Sequence, residues 1–226
     1  MLSQKASPND YSANEMIIDY LLESGQLSRE ELRTFHPSVC NRLDCNTSGL
    51  LIAGKTMRGL QQMSEQLKSR TMQKFYRCLV LGELKEDAHL TGYLVKDHTA
   101  NKVSISPEKT RADRLHSAEK NGEKAAYIET AYHPIALYNG ITLLEVHLIT
   151  GRSHQIRAHL ASIGHPILGD GKYGNQKINR KLQKDFGVTG QLLHAYRMEF
   201  PDGKVVTAKE PEIFSTIIHS KDKNME

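Results

Sequence analysis

Runs of strand-forming residues follow one another along this chain with little between them, and that spacing restricts the fold more than any other feature. Ile141 to Ile149 is the strongest such run, and Phe75 to Leu81 is rich in β-formers. Shorter alternating segments occupy 91–106 and 124–132. Leu192 to Phe200 and Val205 to Ala208 flank Pro201-Asp202-Gly203, and Asp-Gly is a strong hairpin signal. Gly49 to Ala53 reads as one compact buried strand. Hairpin-like neighbours outnumber βαβ units, so the expected class is α+β, with a mixed, largely antiparallel sheet flanked by helices.

Helical signals are fewer. Ser12-Ala13-Asn14-Glu15 is a capping-box pattern, followed by an apolar face of Met16, Ile17, Tyr20 and Leu21, with Gly25 as the stop. Ser28-Arg29-Glu30-Glu31 reads as a second, shorter start. Met57, Leu60, Met63 and Leu67 predict an amphipathic helix over 56–69. Ser153 to Ile163 places Ile156, Leu160 and Ile163 on one helical face, with Ser153 as its cap.

With 226 residues and no repeat or Pro/Gly/Ser linker, the expectation is one domain over 1–218 and a polar tail from His219 to Glu226. Hydrophobic residues make up 38%, enough for a core. No apolar stretch approaches the ~20 residues needed to cross a bilayer. The start, Met1 to Pro8, lacks the apolar core of a signal peptide. Cys40, Cys45 and Cys78 are too few for a disulfide framework, and free buried thiols are the default reading. The chain therefore reads as soluble and cytoplasmic, with no membrane partner.

Lys and Arg number 30 against 26 Asp and Glu, for a net charge of +4. The distribution says more than the total. Lys68, Arg70, Lys74 and Arg77 fall in a stretch with no acid, and so do Lys172, Lys177, Arg180, Lys181 and Lys184. On charge alone each is a solvated face; the functional alternative is a pair of phosphate-contacting surfaces.

Several motifs fail on inspection. Gly169-Asp170-Gly171-Lys172-Tyr173-Gly174 matches G-x-G-x-x-G but follows no convincing strand, and no acid lies between Asp185 and Glu199 to hold a ribose. A tight loop is the better reading. His154 and His159 are five apart, about 140° round a helix, so they do not share a face as metal ligands. His36, Cys40 and Cys45 lack metal-site spacing. Gly151-Arg152-Ser153-His154-Gln155 lacks the second glycine of a nucleophile elbow.

Two long segments survive. One is Asn41-Arg42-Leu43-Asp44-Cys45-Asn46-Thr47-Ser48-Gly49-Leu50-Leu51. The other is Thr150-Gly151-Arg152-Ser153-His154-Gln155-Ile156-Arg157-Ala158-His159-Leu160, continuing through Gly164-His165-Pro166-Ile167-Leu168-Gly169-Asp170 to Tyr173-Gly174. Lys74-Phe75-Tyr76-Arg77 lies between them. Together they resemble the RluA-type pseudouridine synthases, whose members show H-R-L-D-x-x-T-S-G-L, K-x-Y, and T-G-R-x-H-Q-I-R-x-H with G-H-P-I-x-G-D-x-x-Y-G. The resemblance runs from about Pro37 to Pro211. Asn41 stands where the family usually has His. Members usually also carry a strand and a Lys-Pro-x-Gly segment ahead of the region corresponding to Leu2-Ser3. The expectation is therefore a catalytic domain without its N-terminal strand.

The resemblance implies an isomerase that converts uridine to pseudouridine in ribosomal RNA, foremost of the large subunit, or transfer RNA. It implies a central active-site cleft, and a protein working as a monomer. Asp44 matches the catalytic aspartate, Tyr76 the active-site tyrosine, and Arg157 the arginine that pairs with the aspartate. Arg42 matches the residue that fills the space left by an everted nucleotide. Thr47, Lys74, Arg152, His154, Gln155, His159, Lys172 and Tyr173 are candidates for substrate or RNA contact. No metal and no cofactor is required, because the same atoms are rearranged without outside electrons or groups. A carboxylate suits the step as a nucleophile or as a stabiliser of a sugar cation; whether it attacks sugar or base stays open. Tyr76 is expected to stack on the extruded base or relay its proton.

Each residue has a plainer reading. Taken alone, Asp44 is a surface or loop-capping residue, Tyr76 a core residue of a strand, Arg157 a solvated helix residue, and Arg42 a salt-bridge partner. A non-catalytic RNA-binding or ribosome-assembly protein retaining the fold is the competing class. An RNA hydrolase using His154 and His159 is disfavoured by their spacing.

Overall fold

The computed structural model describes residues 2–7, 9–97, 101–109 and 125–220. The expected sheet is present. Its long strands are β4 (Gln73–Leu81), β5 (Ala88–Asp97), β6 (Lys102–Ser106), β7 (Ala126–Tyr138), β8 (Ile141–Leu148), β9 (Leu193–Glu199) and β10 (Val205–Thr207). They lie in the order β10-β9-β4-β8-β7-β5-β6, every neighbour antiparallel. The β9–β10 pair is the hairpin predicted from Asp-Gly. Residues 98–100 of the predicted segment 91–106 and residue 124 of the segment 124–132 lie outside the described residues, as do 221–226 of the predicted tail.

Helices cover both faces of the sheet. On one, Tyr76, Cys78, Val80, Leu144 and Val146 pack against Ile156 and Leu160 of a helix spanning Gln155–Ser162. On the other, Leu79, Ile141 and Leu143 meet Leu182 of a helix at Gln176–Phe186, and Phe214 and Ile217 of one at Glu212–Ile218. With α1 (Ala13–Glu23), α2 (Glu31–Thr34) and α3 (Met57–Ser69) ahead of them, these three are α4, α5 and α6 in chain order. No helix among the described residues is long and apolar enough to cross a membrane.

The α1 capping box forms as read, with Ser12 Oγ and Ser12 N both donating to Glu15. Along its apolar face Met16 and Tyr20 are exposed and Leu21 is buried. Ser28 donates to Glu31 from both N and Oγ, opening α2. The run Gly49 to Ala53 is not one buried strand. It splits into β2 (Ser48–Gly49), which pairs parallel with β9, and β3 (Ala53–Gly54), which pairs with β1 (Ser38–Val39). Gly49 has φ +108°, a conformation that breaks a strand and that glycine alone adopts readily. Ser153 is not the α4 cap. His154 holds that position at φ +56°, with no side-chain capping bond, so it lies off the helix that carries His159. Ile163, which ends α4, is exposed. Of the three cysteines only Cys78 is buried; Cys45 is exposed.

Neither α5 nor α6 is anticipated by the sequence reading. The basic run conceals Ile178, Leu182 and Phe186, which recur every four residues and face the sheet. Asn175 caps α5 by accepting from the amides of Lys177 and Ile178. Gly187, in the left-handed region, ends it.

Candidate active site

The loop from Cys40 to Leu50 carries Asp44 and is tied down along its length. At its base, Cys40 N donates to Ile52 O, and Asn41 Oδ1 accepts from Ile52 N at 2.8 Å. Asn41 thus supplies an anchor at the position where the family motif has His. Ser3 Oγ accepts from Leu43 N at 2.9 Å and donates to its carbonyl at 3.2 Å. Beyond Asp44 the chain turns, Thr47 N donating to Asp44 O at 2.9 Å with Asn46 at φ +68°. Gln191 Nε2 donates to Cys45 O at 2.5 Å and to Thr47 Oγ1 at 3.1 Å. Ser48 Oγ pairs with His194 Nδ1 at 2.8 Å, and Leu50 N donates to Ala195 O. A residue held at both sides loses little freedom when it meets a ligand.

Arg157 approaches Asp44 from α4. Six consecutive residues, Gln155 to Leu160, are buried, so the backbone on both sides of the guanidinium is fixed. Arg157 Nη1 donates to Asp44 Oδ2 at 3.1 Å, while Nε and Nη2 form a fork onto Asp170 at 2.6 and 2.9 Å. The Asp170 side chain is 0% exposed, that of Arg157 7%, and that of Asp44 20%. One carboxylate is therefore sealed and the other faces solvent.

The electrostatics follow from those contacts. Burial pulls the Arg157 guanidinium toward neutrality, but the bonds and charge of Asp170, then of Asp44, outweigh it and hold it charged. Burial works against the Asp170 carboxylate in the same way. Arg157 and the amides of Tyr173 and Lys172 reverse that and keep it below its ordinary range. Tyr76 is 6% exposed, and its phenol is pushed well up, first by burial and then by the charge of Asp44.

Tyr173 and His154 complete the cluster. The Tyr173 ring lies 5.3 Å from the Arg157 guanidinium, and its hydroxyl accepts from Val103 N at 2.9 Å. The same hydroxyl pairs with His154 Nδ1, 3.0 Å away. Burial lowers the His154 pKa against the opposing pull of Asp44.

The other residues read as RNA contacts divide by exposure. Arg42 and Arg152 are exposed, and Lys172 donates its ammonium to Asn101 O at 2.6 Å. The Lys74 ammonium lies close enough to Gly151 that a Cβ there would be 3.1 Å away, so the K-x-Y strand and the T-G-R turn adjoin. Burial, then Arg70, lowers the Lys74 pKa. Gln155 and His159 point into the fold. Gln155 bonds Thr150 Oγ1, Arg152 N, Glu129 O and Thr130 Oγ1, and His159 Nδ1 meets Thr130 Oγ1 at 3.1 Å. They join α4 to β7 and offer no open surface to RNA. Asp170, Gln191, Ser3 and His194 are site residues that the sequence reading did not single out. Only Asp170 had a signal, its place in the second motif.

A solvent-facing loop carboxylate steered by a buried guanidinium is an arrangement for carboxylate chemistry on a ligand from outside. The model of the RNA pseudouridylate synthase family matches residues 12–162, more than half of the chain. The chain belongs to that family. It is 31% identical over 195 residues to ribosomal large subunit pseudouridine synthase C of Haemophilus ducreyi, covering 84% of this chain and 56% of that protein. It is 35% identical over 162 residues to the D enzyme of Nitrosomonas europaea, covering 71% and 43%. To tRNA pseudouridine synthase C of Salmonella typhimurium it is 33% identical over 171 residues, covering 73% and 62%. The chain thus spans about half the length of the first two of these relatives. Among solved structures, human RNA pseudouridylate synthase domain containing 4 shares the fold, with a TM-score of 0.69 at 21% identity, covering 90% of this chain and 82% of that one.

Proposed function

We propose that this chain isomerises uridine to pseudouridine in RNA, with Asp44 as the group that meets the reacting nucleotide. The observation that carries the reading is the placement of the Asp44 carboxylate, partly open to solvent and oriented by a buried arginine. The reaction breaks the bond between uracil N1 and C1′ and forms one between C5 and C1′. C5 gives up a proton and N1 gains one, so atoms and electrons balance without a cofactor. An ionised carboxylate either bonds to the nucleotide or stabilises a sugar cation while the base turns.

Tyr76 sits beside Asp44 with a phenol that stays protonated at neutral pH. Little of its ring is open for stacking, which leaves relay of a proton through its hydroxyl as its role. Extruding a base from folded RNA costs a few kcal/mol. Exposed Arg42, two residues before Asp44, fills the vacated space, and the basic residues of α5 hold the backbone. The relatives named for the ribosomal large subunit favour its RNA as substrate, with transfer RNA second. The enzyme acts in the cytoplasm, where that RNA is made and used, and works as a monomer.

Wild type and Asp44→Asn, each incubated with large-subunit ribosomal and transfer RNA, test this. Wild type is expected to convert defined uridines and Asp44→Asn none, with both binding RNA. Binding by both without conversion would mean an RNA-binding protein retaining the fold.

A further inference from the structure

Arg157 divides its guanidinium unequally between two carboxylates. Asp170 takes the fork, at 2.6 and 2.9 Å, and Asp44 a single bond at 3.1 Å. Oδ1 of Asp170 is further fixed by the amides of Lys172 at 2.8 Å and Tyr173 at 3.0 Å. Orienting Asp44 does not by itself require this second acid, and burying a charge is costly unless it is well paired. The role of Asp170 emerges from the charge count. Two carboxylates and one guanidinium leave the cluster one negative charge. In the chemistry proposed above, the Asp44 carboxylate loses its negative charge in a bond to the nucleotide or turns it toward a sugar cation. An Arg157 paired with Asp44 alone would then be a buried cation without a partner. The sealed Asp170 keeps it paired throughout.

We infer that Asp170 is a positioning residue: it fixes and neutralises Arg157, so that Asp44 is aimed by one bond and remains free to react. The inference rests on the reading of Asp44 given under Proposed function. It is tested with Asp170→Asn. Asparagine keeps an oxygen for the two turn amides, but it has no charge and cannot accept both arms of the fork. Pseudouridine formation on a convertible RNA is followed at steady state, with wild type and Asp44→Asn alongside and RNA affinity measured separately. The expected result is a kcat lower by about 10- to 100-fold, with KM and RNA affinity within about twofold of wild type. An unchanged kcat, or a loss confined to RNA affinity, overturns the inference. If circular dichroism shows Asp170→Asn unfolded, Arg157→Lys is read instead, because an ammonium cannot fork onto one acid while holding another. The same loss in kcat is expected, and wild-type kcat in that variant overturns the inference. If wild type itself converts no uridine, the reading of Asp44 falls and this inference with it. Conversion by wild type with an unaltered Asp170→Asn removes the inference alone.

Discussion

Gly49 runs so close to Ala195 that a Cβ on it would stand 2.2 Å from the Ala195 carbonyl oxygen. The contact lies in the parallel pairing of β2 with β9, five residues beyond Asp44 in the chain. Alanine there would meet backbone that cannot yield, at a φ of +108° that L residues rarely adopt. Gly49→Ala should lose about 1–3 kcal/mol of stability. It should also lose more than tenfold in activity, because the loop that aims Asp44 must shift away from β9. Thermal unfolding and a conversion assay on the folded fraction check the two effects. A wild-type melting temperature would show that β2 is not the anchor.

Tyr76 separates packing from chemistry. Its ring lies in the cluster formed by Val146, Ile156, Leu160 and Ala195. Tyr76→Phe keeps that packing and removes only the hydroxyl. Stability and RNA affinity should hold, while kcat falls by about 10²–10⁴-fold if the phenol moves a proton. Tyr76→Ala should instead cost about 3–5 kcal/mol through the cavity it leaves. Chemical denaturation and single-turnover rates distinguish the two, and a fully active Tyr76→Phe would reduce Tyr76 to a packing residue.

The antiparallel sheet was legible in the sequence as strand runs joined by turns, whereas the Asp44–Arg157 pair, far apart in the chain, came only from the resemblance of two motifs to a known family. What faces each side chain was not legible. Gln155 and His159 belong to the same motif as Arg157, yet α4 is buried along six consecutive residues, so its polar side chains turn inward to satisfy β7. Asp170 was visible in its motif, but no spacing rule shows that one guanidinium serves two acids. The α5 helix was hidden because charge dominates its composition while three apolar residues do the packing. The run from Gly49 to Ala53 misled because its apolar character outweighed a single glycine whose φ divides it.

Lys177, Arg180 and Lys184 are exposed on α5, which begins three residues after Tyr173 of the second motif. Three to four residues separate them, so they lie on neighbouring turns of one face. If this face carries the RNA backbone, replacing all three with Glu should weaken RNA binding strongly and raise KM far more than it lowers kcat. The dependence of log affinity on log salt should become shallower by about 0.7–0.9 per lost phosphate contact. Filter binding across a salt series measures this. An unchanged slope would return α5 to the status of a solvated face.

Acid should unfold the protein in two stages. Burial lowers the pKa values of His159, His147 and His194 below their ordinary 6.5. The unfolded chain therefore takes up these protons first, so the stability they contribute is full above 6.5 and drains away as pH falls below it. Asp170 acts lower on the scale. Its carboxyl, held below the ordinary 3.8 by Arg157 and two amides against the effect of burial, contributes stability that is present above 3.8 and lost as pH falls toward its folded value. Urea unfolding from pH 8 to pH 2 should show a shallow decline below about 6.5, then a second decline below about 4. Asp170→Asn should start less stable and show a smaller second decline, whereas His159→Gln should blunt only the first. A second decline of wild-type size in Asp170→Asn would mean that other carboxylates, not the Arg157 pair, set the acid limit of this fold.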